Sequence, residues 1–591
     1  MIVHIVENSI QLNHIVNNKS KYLDVLFIAV TPNIFVDLEN NGFNVKPIND
    51  FINNDDHKMI SKKSIDKFEY MCEYLKETKA FKKNSSLDSF TVYFKFILNH
   101  IYLLIILIEK INSVNGYILK PINIAGFKST DLFPLPLIND SDDFVDKLFI
   151  EKKPDSSLKN YKYKESFLLS LLAKLSNRIL KNKEEVVLTS LFINNNFKEY
   201  IKYLKVNHSD FQVLQYRIIS KTYFFEVIYA IKNLFIIVYN TLLKNNADYY
   251  AVISVPSKLS IHDTATILNK IQKLDIFKFK GIDFYYSIEN KLNELISFTK
   301  YHDNIYNNLK YLFSQIKNPL LLSFASRDIS ALMGEISKEE DIKSFLISHG
   351  SHTWHEELNI NQEHLLLAKG LIASDFYDNI IVQSPLALEF LRNNNIKNKN
   401  IILSKPIGWG GTFSKEKEVF SSDKKIVLHA GTSKPTIRPI IYETDFEYIK
   451  GIIEIYNSIK SNKDILFLVR FRPNRNISLK TLKQLLPSGD NIQIVTDKTF
   501  VYYLKKASIL VSYSSTTIEE ALNYNIPVVL YGNSFLYSHI STDNKDFVRY
   551  VSNKKDIGIV IEELVKKDFT DIDNKYIFKN IDIYNILKTK E

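Results

Sequence analysis

The chain has 591 residues, of which 45 % are hydrophobic and 24 % charged, values that are ordinary for globular proteins. This length is too great for one core and predicts at least two domains, and the composition excludes a wholly disordered or collagen-like chain. The formal net charge is +10, but the lysines are interleaved with Asp and Glu rather than clustered. We therefore expect no nucleic-acid partner; a phosphate-rich ligand or peripheral contact with an anionic inner membrane would account for the excess.

The single cysteine, Cys72, excludes an intrachain disulfide and every cysteine-based metal cluster, which fits a reducing cytoplasm. The first residues lack the pattern of a secretory signal. Two apolar stretches, 92–108 and 224–238, are interrupted by charged or polar residues and predict buried helices rather than membrane spans. The expected location is the cytoplasm, with peripheral contact to the cytoplasmic face of the membrane left open.

The N-terminal part begins with a βαβ pattern. Residues 24–30 predict a buried strand, 31–42 a helix that ends at Gly42, and 43–48 a second strand. Residues from about 55 to 245 predict a helical insertion. From residue 248 strands and helices alternate, with strands at 251–256, 279–288, 320–326 and 344–350 and helices at 262–274 and 327–340.

Residues 406–423 contain three glycines and a proline and predict a linker. A second alternating series follows, with strands at 425–431, 464–473, 491–496, 508–515 and 527–532. The chain therefore predicts an α/β fold with two Rossmann-like domains and a helical elaboration in the N-terminal half. The predicted boundaries are 1–405 for the N-terminal domain, 406–423 for the linker and 424–591 for the C-terminal domain.

The sharpest pattern lies at 508–532, where a buried strand is followed by the hydroxyl loop Ser514, Ser515 and Thr516 and by a helix that carries Glu520. Backbone N–H groups at such a helix start can hold a phosphate. The alternative is N-capping by a hydroxyl, with Glu520 as the capping-box acid.

The region from about 323 to 532 resembles the GT-B glycosyltransferases of bacterial surface polysaccharide biosynthesis. These include the capsule Kdo and polysialic acid transferases and the CDP-glycerol glycerophosphotransferases. The matching residues are His349-Gly350, Arg472-Pro473, and Ser514-Ser515 with Glu520. The resemblance implies an N-terminal acceptor-side domain and a C-terminal domain that binds a nucleotide-sugar.

The implied activity is transfer of a sugar from a nucleotide-activated donor to a surface glycan or glycolipid acceptor. A CMP-sugar such as Kdo or a sialic-acid-like sugar is favoured, and a UDP-sugar stays open because relatives that use CMP-sugars commonly carry His-Pro at Arg472-Pro473. Arg472 and Arg470 suit phosphate binding, since guanidinium bonds two oxygens at once, with surface charge as the alternative. A sugar-nucleotide 2-epimerase and a non-catalytic glycan-assembly protein are the competing functions.

The loop 429–436 follows the apolar strand residues 425–428 and contains Gly431, Thr432 and Lys434, a combination suited to a pyrophosphate although it lacks the Walker A spacing. A solvated turn is the alternative for Lys434. We expect these residues to bind the donor, together with Arg470, Arg472, the hydroxyl loop and Glu520, whose carboxylate would accept ribose or base hydroxyls.

His349 is the predicted general base, because it ends a strand at the expected cleft and imidazole titrates near neutral pH. Asp328 and Glu356 are the substitutes, although Asp328 also fits a helix cap. The histidines around His349 lie in a loop without an HExxH pattern, and the Asp-x-Asp pairs at 140–142 and 571–573 fit solvated turns. We expect no metal and no cofactor, with positive side chains and a helix N-terminus stabilising the departing phosphate.

Overall fold

A computed structural model of the chain describes most of its length. The described residues are 1–122, 186–189, 212–218, 249–253, 261–314, 319–347, 353–396, 400–404, 424–431, 443–474, 476–532, 540, 546–567 and 569. The predicted linker, the stretch 224–238 and both Asp-x-Asp pairs lie outside them.

The N-terminus forms a parallel four-stranded sheet with the order β3-β2-β1-β4. Asn8 and Thr31 cap its two helices with their side-chain oxygens. The predicted βαβ unit is thus confirmed, but it stands in a sheet of its own. The elements are β1 Ile2–Val6, α1 Ser9–Asn17, a 3-10 helix Lys19–Lys21, β2 Val25–Ala29, α2 Pro32–Asn40, β3 Asn44–Pro47, a 3-10 helix Ile48–Asp50 and β4 Ile118–Leu119.

Long helices cover this sheet and share one hydrophobic core with it. They are α3 Asn54–Glu77, α4 Asn84–Ser113, α5 Ile261–Gln272 and α6 Tyr285–Ser314. Within the described part of the chain, α4 is long and apolar enough to cross a membrane by length and composition, yet 89 % of its most apolar window is buried inside the protein. The helix predicted to be buried at 92–108 is therefore a core helix of this fold.

The second sheet has seven parallel strands in the order β13-β12-β11-β10-β5-β6-β7. Read in chain order, this is 3-2-1-4-5-6-7, the Rossmann arrangement with one strand added. Its strands are β5 Val186–Thr189, β6 Gln212–Ile218, β7 Tyr249–Ile253, β10 Pro319–Ser323, β11 Ser344–Ile347, β12 Asn379–Val382 and β13 Asn400–Leu403. The associated helices are α7 Ile329–Glu339, α8 Leu358–Lys369 and α9 Pro385–Asn393.

Two local predictions for this half need correction. The segment 55–245, predicted as helical, contains α3 and α4 but also β4, β5 and β6, and the last two are paired in the seven-stranded sheet. The strand predicted at 279–288 is wrong. Lys280 and Gly281 both have positive φ, at 49° and 82°, and join the two-residue strands β8 Lys278–Phe279 and β9 Ile282–Asp283 in a tight hairpin before α6 begins.

The third sheet has six parallel strands in the order β16-β15-β14-β17-β18-β19, which is 3-2-1-4-5-6 in chain order. Its strands are β14 Lys425–Ala430, β15 Ile465–Arg470, β16 Ile492–Val495, β17 Ile509–Ser512, β18 Val528–Leu530 and β19 Val548–Tyr550. Its helices are α10 Asp445–Ile459, α11 Leu479–Leu485, α12 Phe500–Leu504, α13 Thr517–Asn523 and α14 Ile557–Val565.

The predicted fold class is confirmed: the chain is α/β, with two Rossmann-ordered parallel sheets and a helical elaboration in the N-terminal half. The four-stranded sheet is an addition that the sequence did not separate from the first of these. β13 and β14, on either side of residues 405–423, belong to different sheets. The domain boundaries themselves stay a prediction.

Candidate functional site

The six-stranded sheet has a topological switch point between β14 and β17. From β14 the chain adds β15 and β16 on one side, and it then returns to add β17, β18 and β19 on the other. All pairings are parallel, so every carboxyl end lies at one edge, where the diverging loops leave a crevice. Gly431 follows β14 at this edge, and the hydroxyl loop 514–516 follows β17. Sequence and topology therefore bring these two predicted segments to the same crevice.

The hydroxyl loop is not a simple helix cap. Thr516 has helical φ and ψ of −58° and −17°, and its side chain makes no cap hydrogen bond. Ser515 serves the helix start instead, because its Oγ accepts from the N–H of Thr517 at 3.3 Å. The capping-box alternative thus does not describe Thr516, whose hydroxyl is left for other contacts.

Several buried polar atoms surround the switch point without a hydrogen-bond partner among the described residues. Ser512 Oγ and Thr517 Oγ1 lie on the β17 side, and His429 Nδ1 and Tyr448 Oη lie on the β14 side. The rings of His429 and Tyr448 are 5.4 Å apart. Burial lowers the pKa of His429 to about 4, so this imidazole is neutral at physiological pH. Buried polar groups of this kind are usually paired, which marks the edge as unusual.

The two predicted arginines differ in environment. Arg470 is the last residue of β15, and its Nη1 donates to the carbonyl oxygens of Phe471 at 2.8 Å and Val495 at 3.4 Å. Burial, opposed in part by Tyr503, lowers the pKa of its guanidinium. Arg472 is exposed in the loop after β15. Arg470 therefore braces the ends of β15 and β16, while Arg472 is the one available to a ligand.

Glu520 lies in the first turn of α13 with 9 % exposure, beside the fully buried Glu519. Burial and the charge of Glu519 raise the pKa of Glu520 to about 8. Most Glu520 side chains are thus protonated at neutral pH, and they can donate a hydrogen bond. We expected an ionised acceptor for ribose or base hydroxyls, and the structure instead favours a neutral acid.

The carboxyl edge of the seven-stranded sheet meets this site. Ser384, which caps α9 after β12, donates its hydroxyl proton to Glu519 Oε1 on α13. The side chain of Leu386 packs into the core of the six-stranded sheet. The carboxyl ends of β12 and β17 therefore face one another, as expected for a cleft between two α/β domains.

The four-stranded sheet meets the same domain with its own carboxyl edge. Asn49 Nδ2, after β3, donates to Thr444 Oγ1 at 3.4 Å, and the rings of Phe35 and Phe446 are 6.1 Å apart. Asn33, at the start of α2, bonds to the segment after β15. Local sequence patterns could not predict these contacts, because the partners are about 400 residues apart in the chain.

Of the three predicted acid–base residues, two are described and His349 is not. β11 ends at Ile347, two residues before His349, at the carboxyl edge of its sheet. Asp328 follows β10 with φ of 53°, and its Oδ2 accepts from the Tyr93 hydroxyl at 2.7 Å. Its side chain makes no cap bond to α7, so the capping alternative does not hold. Glu356 is exposed in the loop before α8.

The predicted residues Thr432 and Lys434 also lie outside the described residues. Gly431 is described, and a Cβ built on it would have its nearest neighbour, Tyr448 Cε2, at 3.8 Å. Within the described ranges, no group of three or more His, Cys, Asp or Glu side chains is placed to hold a metal ion.

No protein-family model matches the chain, and no curated protein matches it in sequence. Among solved structures, it is similar to UDP-GlcNAc 2-epimerase from Methanocaldococcus jannaschii, at 12 % identity over 67 % of this chain and 96 % of that one, with a TM-score of 0.38. It is also similar to UDP-GlcNAc 2-epimerase from Neisseria meningitidis bound to UDP-GlcNAc, at 14 % identity over 66 % of this chain and 95 % of that one, with a TM-score of 0.38. Sucrose-phosphate synthase from Thermosynechococcus elongatus is similar at 12 % identity over 65 % of this chain and 90 % of that one, with a TM-score of 0.35. At these TM-scores the fold assignment rests on the strand order of the chain's own sheets.

Proposed function

We propose that the protein is a GT-B type glycosyltransferase that moves a sugar from a nucleotide-activated donor to a glycan or glycolipid acceptor of the bacterial surface. The observation that carries the proposal is the switch point of the six-stranded sheet, with Gly431 and the hydroxyl loop on its two sides and a second Rossmann-ordered sheet across the cleft. Doubly wound sheets bind ligands at this place. The sequence resemblance supplies the reaction class.

In this proposal the donor's phosphates lie at the carboxyl edge of β14, β15 and β17. Arg472 supplies charge and two parallel donors, and Ser515 and Thr516 supply hydroxyls. Glu520, protonated at neutral pH, donates a hydrogen bond to the nucleoside rather than accepting one. Thr432 and Lys434 belong to the same proposed donor set.

Transfer requires that an acceptor hydroxyl attack the anomeric carbon while a base removes its proton and the nucleotide departs with its phosphate. His349 is the proposed base, because β11 ends at Ile347, two residues before it in the chain, at the carboxyl edge of its sheet. Asp328 is engaged by Tyr93 in the packing against α4, and Glu356 is exposed, so both are weaker proposals. Arg472 and backbone N–H groups would stabilise the departing phosphate.

Calorimetric titration with CMP, CDP, UDP and GDP tests the donor site. We expect one of them to bind and Arg472→Ala to weaken that binding by about 10- to 150-fold, which is the effect of losing a charge-assisted hydrogen bond. Arg392→Ala is the matched control, because Arg392 is an exposed arginine in the last turn of α9. Absence of binding at millimolar nucleotide, or an unchanged affinity of Arg472→Ala, refutes the donor assignment.

Donor turnover separates the proposed transferase from its competitors. Donor consumption that depends on an added acceptor supports the transferase. A sugar-nucleotide 2-epimerase converts the donor without an acceptor, and a non-catalytic assembly protein leaves it unchanged. A CMP-sugar and UDP-sugar panel, assayed for nucleotide release, identifies the donor class in the same experiment. Under the proposal, His349→Ala lowers turnover by about 10² to 10⁴ without changing donor affinity.

A further inference from the structure

Asn33 connects the four-stranded sheet to the loop that carries Arg472. It is the second residue of α2, and it lies at the carboxyl edge of its own sheet, just after β2. Its backbone N–H donates to the carbonyl of Asn476 at 3.0 Å. Its side-chain Oδ1 accepts from the N–H of Ser478 at 3.0 Å and from the hydroxyl of Thr481 at 2.5 Å. One asparagine thus makes three hydrogen bonds across the sheet–sheet contact.

The segment that receives these bonds is itself tightly folded. Asn474 Oδ1 accepts from the N–H groups of Asn476 at 2.8 Å and Ile477 at 2.9 Å, and its own N–H donates to the Ile477 carbonyl at 3.2 Å. Ile477 is fully buried in the core of the six-stranded sheet. The loop that begins with Arg472 and Pro473 therefore returns to the fold within a few residues of the Asn33 contacts.

A second anchor comes from the start of α10. The buried Asp445 accepts from Asn476 Nδ2 at 2.9 Å and from Asn474 Nδ2 at 3.4 Å. The loop is thus held on one side by its own domain, through Asp445, and on the other by Asn33 from a different sheet. Arg472 and Pro473 are exposed and have no equivalent anchor of their own in the described residues.

We propose that Asn33 is a positioning residue that fixes the Arg472 loop from the N-terminal sheet. This inference rests on the proposed donor site, in which Arg472 holds phosphate. A guanidinium clamp needs its two N–H donors in a set orientation, and an exposed arginine loses rotamer and loop freedom when it binds. Anchoring the loop in advance reduces that cost. It also makes donor affinity depend on the contact between the two sheets.

The test compares nucleotide affinity in Asn33→Ala, Arg472→Ala and the double variant, using the nucleotide that binds the wild-type protein. We expect Asn33→Ala to weaken binding by about 5- to 30-fold, since two neutral hydrogen bonds are lost. Adding Asn33→Ala to Arg472→Ala should hardly change nucleotide affinity further, because Asn33 is proposed to act by positioning the Arg472 side chain, which the double variant lacks. Asn33→Asp keeps the acceptor oxygen and should retain most of the affinity.

The matched control is Asn40→Ala, which changes an exposed asparagine at the end of the same helix. Thr481→Val is the second variant if Asn33→Ala does not fold, because it removes only the hydroxyl that donates to Asn33. It should weaken binding in the same direction and by a smaller factor.

Three results overturn the inference. Unchanged affinity of Asn33→Ala, with Arg472→Ala weakened, refutes it and leaves the donor site standing. An equal loss in both backgrounds shows that Asn33 acts by another route. If no nucleotide binds the wild-type protein, the proposed function fails, and hydrogen exchange of residues 471–478 then tests whether Asn33 holds this loop. Faster exchange in Asn33→Ala supports that role. Unchanged exchange refutes it.

Discussion

Replacing Glu520 with glutamine should remove a pH dependence from the stability of the C-terminal domain. Glu520 is 9 % exposed and lies beside the buried Glu519, and these two causes raise its pKa to about 8 from the ordinary value of 4.5. The folded protein therefore keeps a proton that the unfolded chain releases between these two pH values. The stability that this group contributes is fully present below pH 4.5, falls as the pH rises, and is lost above pH 8.

The size of the effect follows from the shift. One pKa unit corresponds to about 1.36 kcal/mol, so the wild-type protein should lose up to about 5 kcal/mol between pH 4.5 and pH 8 that the variant does not lose. Glutamine has the shape of the protonated acid and carries no charge. The two proteins should thus be similar in stability near pH 5, and the variant should be the more stable one near pH 8.

Differential scanning calorimetry at pH 5, 6, 7 and 8 measures this difference, with about 2–4 °C expected in the unfolding temperature for each kcal/mol. Glu563→Gln is the matched control, because Glu563 is an exposed carboxylate of the same domain on α14. Its unfolding temperature should follow that of the wild-type protein. A difference between wild type and Glu520→Gln that stays constant from pH 5 to pH 8 would mean that Glu520 is ionised in the folded state, and the reasoning would fail.

Two further stability predictions concern packing. The side chains of the ion pair Lys95–Glu363 are 6 % and 1 % exposed, so Glu363→Ala should lower the free energy of unfolding by about 3–5 kcal/mol, because it leaves an unpaired buried ammonium. The double variant Lys95→Met, Glu363→Leu should lose far less. Chemical denaturation measures both, and equal losses would contradict this reasoning. Gly532→Ala would put a Cβ 2.2 Å from Tyr513 Cδ2 and should cost about 1–3 kcal/mol. A Cβ at Gly431 would have its nearest neighbour at 3.8 Å, so Gly431→Ala should change the free energy of unfolding by less than about 0.5 kcal/mol. Similar unfolding temperatures for the two glycine variants would argue against the close contact between Gly532 and Tyr513.

The candidate site could be predicted in part. Arg470 ends an apolar strand, and Gly431, Arg472 and the hydroxyl loop each follow one. Because parallel strands end at one edge, their assembly at that edge follows from the pattern. The roles within the group did not follow. Arg470 is partly buried and bonds to the backbone at the strand ends, whereas Arg472 is exposed. Burial and the neighbouring charge of Glu519 raise the pKa of Glu520 to about 8.

The sequence by itself determined the local elements. Apolar runs marked the strands of the C-terminal domain. The structure adds the local reason for one helix start, a capping box between Thr444 and Glu447 at α10. Local pattern failed at 279–288, where aromatic residues gave the appearance of a strand but the turn at Lys280-Gly281 and the following helix prevailed. The reason is that the hydrophobic pattern of a short segment indicates which side chains are buried, but it does not show whether a strand or a helix buries them.

Only the tertiary structure decided which strands are neighbours and which sheets meet. β5 pairs with β10 across more than a hundred residues of chain, and the first strands form a separate sheet instead of joining that one. Ser478 donates to Asn33 across 445 residues. Such contacts depend on how whole layers pack, and single polar residues at their edges carry no periodic signal, so no local stretch of the sequence contains them.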